Sequence, residues 1–516
     1  MESTGYKNRW IGLLFICISL LIISLDNTVL NVALPAISRD LGASASDLQW
    51  IIDAYILVFA AMLLTMGAVG DRYGRKRALQ FGVAWFGVFS LMAALSTGTD
   101  MLILSRALLG LGGATIMPAT LSLLTATFRD PKERAQAIGL WAAVFGLGAG
   151  LGPLIGGYLL EHFHWSAVFF INLPVIVVSL VGGYFFLEES RDEDVPPPDI
   201  PGVLLSIAGL FALVYGIIEA GQDGWTAGHV LVSFGITALL LTAFAWWEGH
   251  TRHPMLPLYL FRNMSFTGAN LAITLTMFGM FGSLFFFSQY FQSVQGYTAL
   301  ETGWRLLPMA LVIMVAAGSS ARVSQRLGIK RTVGIGFLIA SSGMLFMSQT
   351  IDVDTSYGVI LLGLSIMAAG MGTAMSPATN SIMGSVPVNK AGVGSAMNDT
   401  TREVGAALGV AVLGTVMNNI YLDKIVNLPA LPGQALEAIR SSIQGAHIVA
   451  AQLPAPVSGQ IMDLADRAFV SGMTSAMVIS AGVMLCASLI SFLILPAEVR
   501  CIEPECEEEE EARRLG

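Results

Sequence analysis

Apolar residues run through this chain in blocks long enough to cross a bilayer, and polar residues are confined to the gaps between them. A spanning helix needs about 20 mostly apolar residues. Fourteen such blocks begin near Trp10, Leu48, Ala78, Met101, Glu133, Ser166, Ile200, Gly228, Ser265, Thr302, Thr332, Ser356, Val393 and Phe469. The pattern predicts an all-α integral membrane protein. The first block is too long, and the loops after it too ordinary, for a cleaved signal peptide.

Lys and Arg give the blocks a direction. With the N-terminus inside, Arg39, Lys424, Arg440 and Arg467 face outside, and Arg106, Arg305 and Arg402 fall within spans. The rest of the 27 basic residues lie on the inner side, so both termini are expected in the cytoplasm. One connection is long, from about 422 to 466 on the outside. It mixes apolar and polar residues with Pro429, Pro432, Pro454 and Pro456, and suits a small amphipathic or hairpin element.

Composition sharpens the class. Hydrophobic residues make up 54% of the chain and charged residues 12%, against about 25% charged in soluble domains. That excludes a soluble enzyme with an anchor. The 55 Gly and 24 Met suit close helix packing and adaptable apolar surfaces. Much of the net charge of −9 sits in the tail 498–516, with Glu498, Glu503, Glu505 and Glu507 to Glu511. That tail is expected to be solvated and disordered. The four Cys form no disulfide framework: Cys17 and Cys486 lie in apolar blocks, Cys501 and Cys506 in the tail. The six His fall in loops or at span ends and form no metal motif. No cofactor is expected beyond protons as a coupling ion, and no nucleic-acid partner. The chain has no G-x-x-x-x-G-K-[ST] motif, which argues against ATP drive.

The block after Glu133 contains G-L-G-A-G-L-G-P-L-I-G-G. Each Gly inside a helix costs about 1 kcal/mol. Gly148, Gly152 and Gly156 recur every fourth residue, as do Gly146 and Gly150, with Gly157 and Pro153 alongside. Bare faces at this spacing let another helix approach closely, and Pro153 favours a bend. Such a helix suits a transporter, although simple small-residue packing gives the same pattern.

The chain also repeats itself. Asp71-Arg-Tyr-Gly-Arg-Lys-Arg77 follows span 2, and Gln325-Arg-Leu-Gly-Ile-Lys-Arg331 follows span 10. Met117-Pro-Ala-Thr120 in span 4 matches Ser376-Pro-Ala-Thr379 in span 12. The glycines of span 5 are echoed in span 13 by Gly405, Gly409 and Gly414. Spans 1–6 and 9–14 therefore read as two related six-helix bundles. The chain divides into a first bundle (1–190), two inserted spans with linkers (191–262), a second bundle (263–497) that carries the loop 422–466, and the tail 498–516. Internal repeats of this kind build many secondary transporters, with the substrate site near the midplane between the halves.

Together these motifs resemble the major facilitator superfamily, and within it the fourteen-helix drug:proton antiporters of the QacA/EmrB type. Gly67 to Arg77 is similar to the superfamily's loop motif, Arg106 to Ala114 to its fourth-helix motif, and the Gly146–Gly157 run to the antiporter signature of the fifth helix. Leu25 to Pro35 (L-D-N-T-V-L-N-V-A-L-P) is similar to the first-helix signature of the fourteen-helix group. The resemblance implies a proton-coupled efflux antiporter in a bacterial cell membrane. It would export amphipathic, cationic compounds by alternating access and so confer drug resistance. Its partners would be lipophilic or cationic drugs, protons and the bilayer, and it would act as a monomer. A proton-coupled carrier for one metabolite or nutrient is the alternative. A membrane-embedded enzyme or sensor lacks a metal cluster or nucleophile–base set here.

An ionisable residue inside a span costs several kcal/mol and marks a functional candidate. Asp26 lies deep in span 1, followed by Asn27 and Asn31. Desolvation disfavours a charged carboxyl, so Asp26 can exchange a proton, or it can be held ionised in a structural polar cluster. Span 13 holds Asn398, Asp399, Arg402 and Glu403. Helical spacing sets Asp399 beside both Arg402 and Glu403, and an Asp399–Arg402 pair would leave Glu403 for a proton or a cation. A structural ion pair is the other reading. By resemblance, acids here contribute to cationic-drug recognition and proton coupling. Asp53, near the outer end of span 2, is either a third acid of the site or an interfacial cap. Arg106 in span 4 can tune or trade a carboxyl partner, or pair with span-end carbonyls. Relatives can carry an acid in span 10, but Leu307 to Ala317 has none, which removes a span-10 cation site from the expectation. Asp71, Arg72, Gly74, Arg75 and Arg77 read as a conformational latch at the inner rim, or as topogenic charge that leaves Asp71 unexplained. Trp50, Tyr55, Trp141, Phe145, Phe285, Phe286, Phe287, Tyr290 and Met375 are candidates to line a cavity for flat cations.

Overall fold

The computed structural model describes residues 8–43, 45–191, 199–251, 254–425 and 432–496. The acidic tail, Cys501 and Cys506 lie outside them, and so do the side chains of Asn31 and Phe285. Among the described residues there is no strand, and fourteen helices are long and apolar enough to cross a membrane. Spans 1 to 5 are Arg9–Leu41, Ala45–Tyr73, Arg75–Ala94, Thr99–Thr127 and Pro131–His162. Span 6 is broken into Ala167–Phe170 and Asn172–Phe186. Spans 7 and 8 are Ile200–Asp223 and Gly228–His250. Spans 9 to 14 are Met264–Gln289, Ala299–Leu327, Ile329–Thr350, Tyr357–Gly384, Ala391–Lys424 and Ala455–Ile494. Hydrocarbon offers no hydrogen bonds, so a lipid-facing chain must satisfy its backbone within each helix. Capping handles the ends. Asp130 accepts the Lys132 N–H before span 5, and Thr298 and Glu301 form a reciprocal capping box on span 10.

Helix starts fall close to the apolar blocks except at span 14, which begins at Ala455 and not near Phe469. Its first turns are polar but locally satisfied. Asp463 and Arg467 pair at 2.9 Å one turn apart, and His447 meets Asp466 at 2.8 Å. The long connection expected over 422–466 is correspondingly shorter. It carries two small helices, Gly433–Ser441 and Ile443–Ala450.

Span 5 is the packing centre. It runs unbroken through Pro153, and its glycines form two stripes. A Cβ on Gly148 would lie 2.6 Å from Ser24, one on Gly156 3.3 Å from Val29, and one on Gly152 would strike Thr28, so this stripe faces span 1. A Cβ on Gly146 would lie 2.7 Å from Ile313, one on Gly157 3.1 Å from Leu300, and one on Gly150 would strike Ala310, so the other stripe faces span 10 in the second half. The run is thus a two-sided packing surface joining a neighbour in its own half to a helix of the other half.

Span 13 repeats this arrangement. In the register that pairs Gly148 with Gly405, Gly152 falls on Gly409 and Gly157 on Gly414. Gly405 and Gly409 lie directly on the carbonyls of Thr274 and Phe278 in span 9, the counterpart of span 1. Span 2 packs on span 13 as span 10 packs on span 5. A Cβ on Gly67 in span 2 would sit 2.5 Å from the Gly392 carbonyl.

The symmetry breaks at Gly414, where a Cβ would meet nothing within 4 Å. There the inserted hairpin comes in. Span 7 packs against both span 2 and span 13, Gly221 lies against Ala411, and Trp225 Nε1 donates to Thr415 at 3.2 Å. The contrast is testable within one helix. Gly405→Ala, forced against backbone, is expected to lower stability by about 1–3 kcal/mol, and Gly414→Ala to leave it nearly unchanged. Thermal unfolding of the detergent-solubilised protein reads the difference; equal shifts would contradict the packing described.

Candidate functional site

Four spans of the first half converge on Asp26, which is buried. Arg106 Nη1 of span 4 meets its Oδ2 at 2.5 Å, and Asn172 Nδ2 of span 6 donates to its Oδ1 at 3.3 Å. Arg106 also donates from Nε to the Ile51 carbonyl of span 2 at 3.0 Å and lies over the Tyr55 ring, 4.3 Å from its centroid. Arg106 therefore holds both kinds of partner its position allowed, a carboxylate and a backbone carbonyl. Asn172 in turn donates to Ser90 of span 3 at 3.2 Å. The break in span 6 puts Asn172 at the start of a helical segment, where its side chain can turn inward. The sequence analysis passed over it, although an Asn two residues before Pro174 in an apolar block was a readable signal.

Tyr55 is the second residue whose role was not singled out. It is fully buried, stacks on Phe59 at 5.5 Å, and faces Asn27. It lies within electrostatic reach of Asp26 and Arg106, and of Glu403 of span 13. Charged groups of both halves thus act on it.

In span 13 the expected Asp399–Arg402 pair does not form. Asn398 Nδ2 donates to Asp399 Oδ1 at 3.0 Å, and Asn398 is itself held by Thr379 of span 12 at 3.2 Å. Arg402 leans across to span 5, with its guanidinium carbon 4.1 Å from the centroid of Phe145 and 5.3 Å from that of Trp141. The physical reason is that helical spacing brings the two side-chain bases together, while the long Arg side chain has two aromatic faces to choose instead. The repeat helps here too. In the glycine register Trp141 corresponds to Asn398 and Phe145 to Arg402. Trp141 Nε1 donates to Thr120 at 3.1 Å, the counterpart of the Thr379–Asn398 bond. Each half therefore anchors the same position of its fifth helix with the Thr of its P-A-T segment. Glu403 is half-buried and lies within electrostatic reach of Tyr55.

Asp53 stands apart from this group. It is half-buried near one end of span 2, where its charge interacts with Glu219 of span 7. Glu219 and Asp223 each lie 3.3 Å from His229, so that histidine belongs to a spatial cluster invisible in the linear sequence. Phe286, Phe287, Tyr290 and Met375 are buried in the second half, and Trp50 is exposed.

At the basic rim, Asp71 accepts the N–H groups of Gly392 and Val393 at 2.8 and 3.1 Å, the first turn of span 13. A carboxylate there meets the positive end of the helix dipole. Arg75 clasps Asp71 at 2.6 Å and donates to the Val388 carbonyl at 2.6 Å, so one acid and one base tie the two halves. Gly74 makes the intervening turn at φ +114°, and a Cβ there would run into the Glu189 carboxyl. Arg77 is exposed and pairs with Glu189 of its own half at 3.7 Å, and Arg72 lies over Tyr73. Asp71 and Arg75 thus both reach the other half, while Arg77 pairs within its own.

Removing one member of a buried ion pair leaves an uncompensated charge. Arg106→Gln is therefore expected to cost about 3–5 kcal/mol of stability. Adding Asp26→Asn to Arg106→Gln should recover part of that loss. Thermal unfolding of the two single variants and the double variant measures the coupling; simple additivity would contradict it.

A family model described as Major Facilitator Superfamily matches residues 16–410. The "Multidrug efflux pump LfrA" of Mycolicibacterium smegmatis is 37% identical over 93% of this chain and 95% of its own length. The "Tetracenomycin C resistance and export protein" of Streptomyces glaucescens is 34% identical over 96% of this chain and 94% of its own. Among solved structures, the proton:xylose symporter XylE superposes with a TM-score of 0.62 at 12% identity, covering 94% of this chain and 96% of XylE, a likeness of fold.

Proposed function

The chain belongs to the major facilitator superfamily, and from that premise we propose that it is a proton-coupled exporter of amphipathic compounds that carry a cationic nitrogen. It works by alternating access in a bacterial cell membrane, with the basic rim in the cytoplasm. It is a transporter, not an enzyme.

One observation carries the reading. Ionisable side chains of both halves, the Asp26–Arg106 pair and Glu403 beside Arg402, lie within electrostatic reach of one buried residue, Tyr55. Charges in that position are costly, and they are understandable as a site where proton and cargo exchange. Ionised Asp399 and Glu403 attract the cargo's nitrogen, and the rings of Trp141 and Phe145 lie beside them. A proton arriving from outside neutralises an acid and weakens its hold on the cargo. Protonation of Asp26 frees Arg106, which then finds its remaining partners in the Ile51 carbonyl and the Tyr55 ring. The halves rock on the glycine surfaces between spans 5 and 10 and between spans 2 and 13, and the Asp71–Arg75 contact with span 13 closes the cytoplasmic side. Relatives named as efflux and resistance proteins over nearly the whole chain support export as the direction.

Inside-out membrane vesicles test this proposal. An imposed proton gradient is expected to drive uptake of ethidium and members of a panel of amphipathic drugs, and a protonophore to abolish it. Asp26→Asn should reduce gradient-driven uptake about tenfold or more, the scale of a lost charge-assisted interaction. Undiminished uptake by Asp26→Asn, or uptake indifferent to the gradient across the whole panel, would overturn the reading.

A further inference from the structure

Two buried arginines lie inside the bundle, and they differ in how they are satisfied. Arg106 has Asp26, a carbonyl and a ring. Arg402 is 2% exposed, yet neither Nη1 nor Nη2 has a hydrogen-bond partner among the described residues. Beside it Asp399 is 1% exposed, and its Oδ2 is also without a partner. A buried polar atom without a partner loses its hydration and gains nothing in return, and the cost is greater for a charged group. Two such groups of opposite charge, one helical turn apart and within electrostatic reach but not hydrogen-bonded to each other, need a common explanation.

We propose that Arg402 is a cargo-recognition group, and that the preferred cargo is an aromatic zwitterion carrying a cationic nitrogen and an anionic or strongly accepting oxygen. The inference rests on the export reading of the same site and goes beyond it in naming the substrate class. Phe145 and Trp141 cover the guanidinium face, so cargo would meet the N–H edge of its planar fork, which is covered in this conformation, when the halves part. A guanidinium fork matches a carboxylate or a comparable oxygen pair. Asp399 Oδ2 and the half-buried Glu403 supply acceptors for the cationic nitrogen on the same helix face. Positions three and four residues apart have Cβ atoms about 5–6 Å from each other, a separation that fits two groups on one fused-ring molecule. A permanent cation without an acceptor can use the acids, but it must share them with Arg402 and leaves the fork unpaired. A site built to hydrogen-bond a group discriminates strongly against the analogue that lacks it.

The test compares one xanthene dye with a free carboxylate and its methyl ester, which share a chromophore and a cationic nitrogen system. Binding to the full-length protein in lipid nanodiscs is followed by fluorescence anisotropy at one fixed pH. Wild type is expected to bind the free acid about tenfold or more tighter than the ester. Arg402→Gln should lose that preference and bind the ester at least as tightly as wild type does, because the acids are no longer shared. Arg402→Lys, which retains the charge but not the fork, should keep only part of the preference. If wild type binds the ester as tightly as the acid, the assignment of Arg402 is wrong and the export reading stands. An Arg402→Gln or Arg402→Lys protein that binds both dyes equally weakly would mean that Arg402 only packs the helix, which also overturns the assignment. If wild type binds neither this pair nor any dye it was expected to export, both readings fall together.

Discussion

Hydrocarbon gives a buried charge neither water nor counter-ion, so every charged side chain inside this bundle must find its partner within the protein or its cargo. That constraint organises the interior. Asp26 draws Arg106 from span 4 and Asn172 from span 6, and Arg106 in turn engages span 2 through Ile51 and Tyr55. One carboxylate thereby orders most of the first half around itself. The second half meets the same constraint differently. Asn398, itself held by Thr379, donates to Asp399, and the neighbouring guanidinium rests on aromatic rings of the opposite half.

Motion between halves needs surfaces that touch closely without interlocking. Glycine supplies them on span 5 against span 10, and at Gly67 and Gly392 where span 2 meets span 13. Side chains that interdigitate would resist sliding, whereas backbone against backbone lets the contact shear. At the rim Asp71 adds a polar contact between the halves, since one carboxylate satisfies two helix-end N–H groups and one Arg together. The inserted hairpin comes in beside Gly414, where the glycine symmetry of the two halves breaks.

Much of the architecture was legible in the sequence because its causes are local. A run of apolar residues is a span wherever it occurs, and the matched D-R-Y-G-R-K-R and Q-R-L-G-I-K-R segments announce a repeat. The glycine run declared a close-packed helix, but not that its two stripes face different halves, which depends on the rotation of span 5 against spans 1 and 10. The start of span 14 was misread because Asp463, Asp466 and Arg467 look like loop residues until their partners are seen. Side-chain pairing was the least legible. Asp399 and Arg402 are neighbours by spacing, but the aromatic alternative lay on a helix about 260 residues away in the chain, a distance no periodicity rule can bridge. Tyr55 read as one aromatic among many for the same reason.

The central claim is that proton and cargo compete for the acids that meet around Tyr55. Proton release from the purified protein in weakly buffered detergent, on addition of a cationic dye, measures this directly. The account predicts a burst of released protons that saturates with dye binding and is lost when Asp26, Asp399 and Glu403 are replaced by their amides. Dye binding that releases no protons at any pH at which the protein is folded would contradict it.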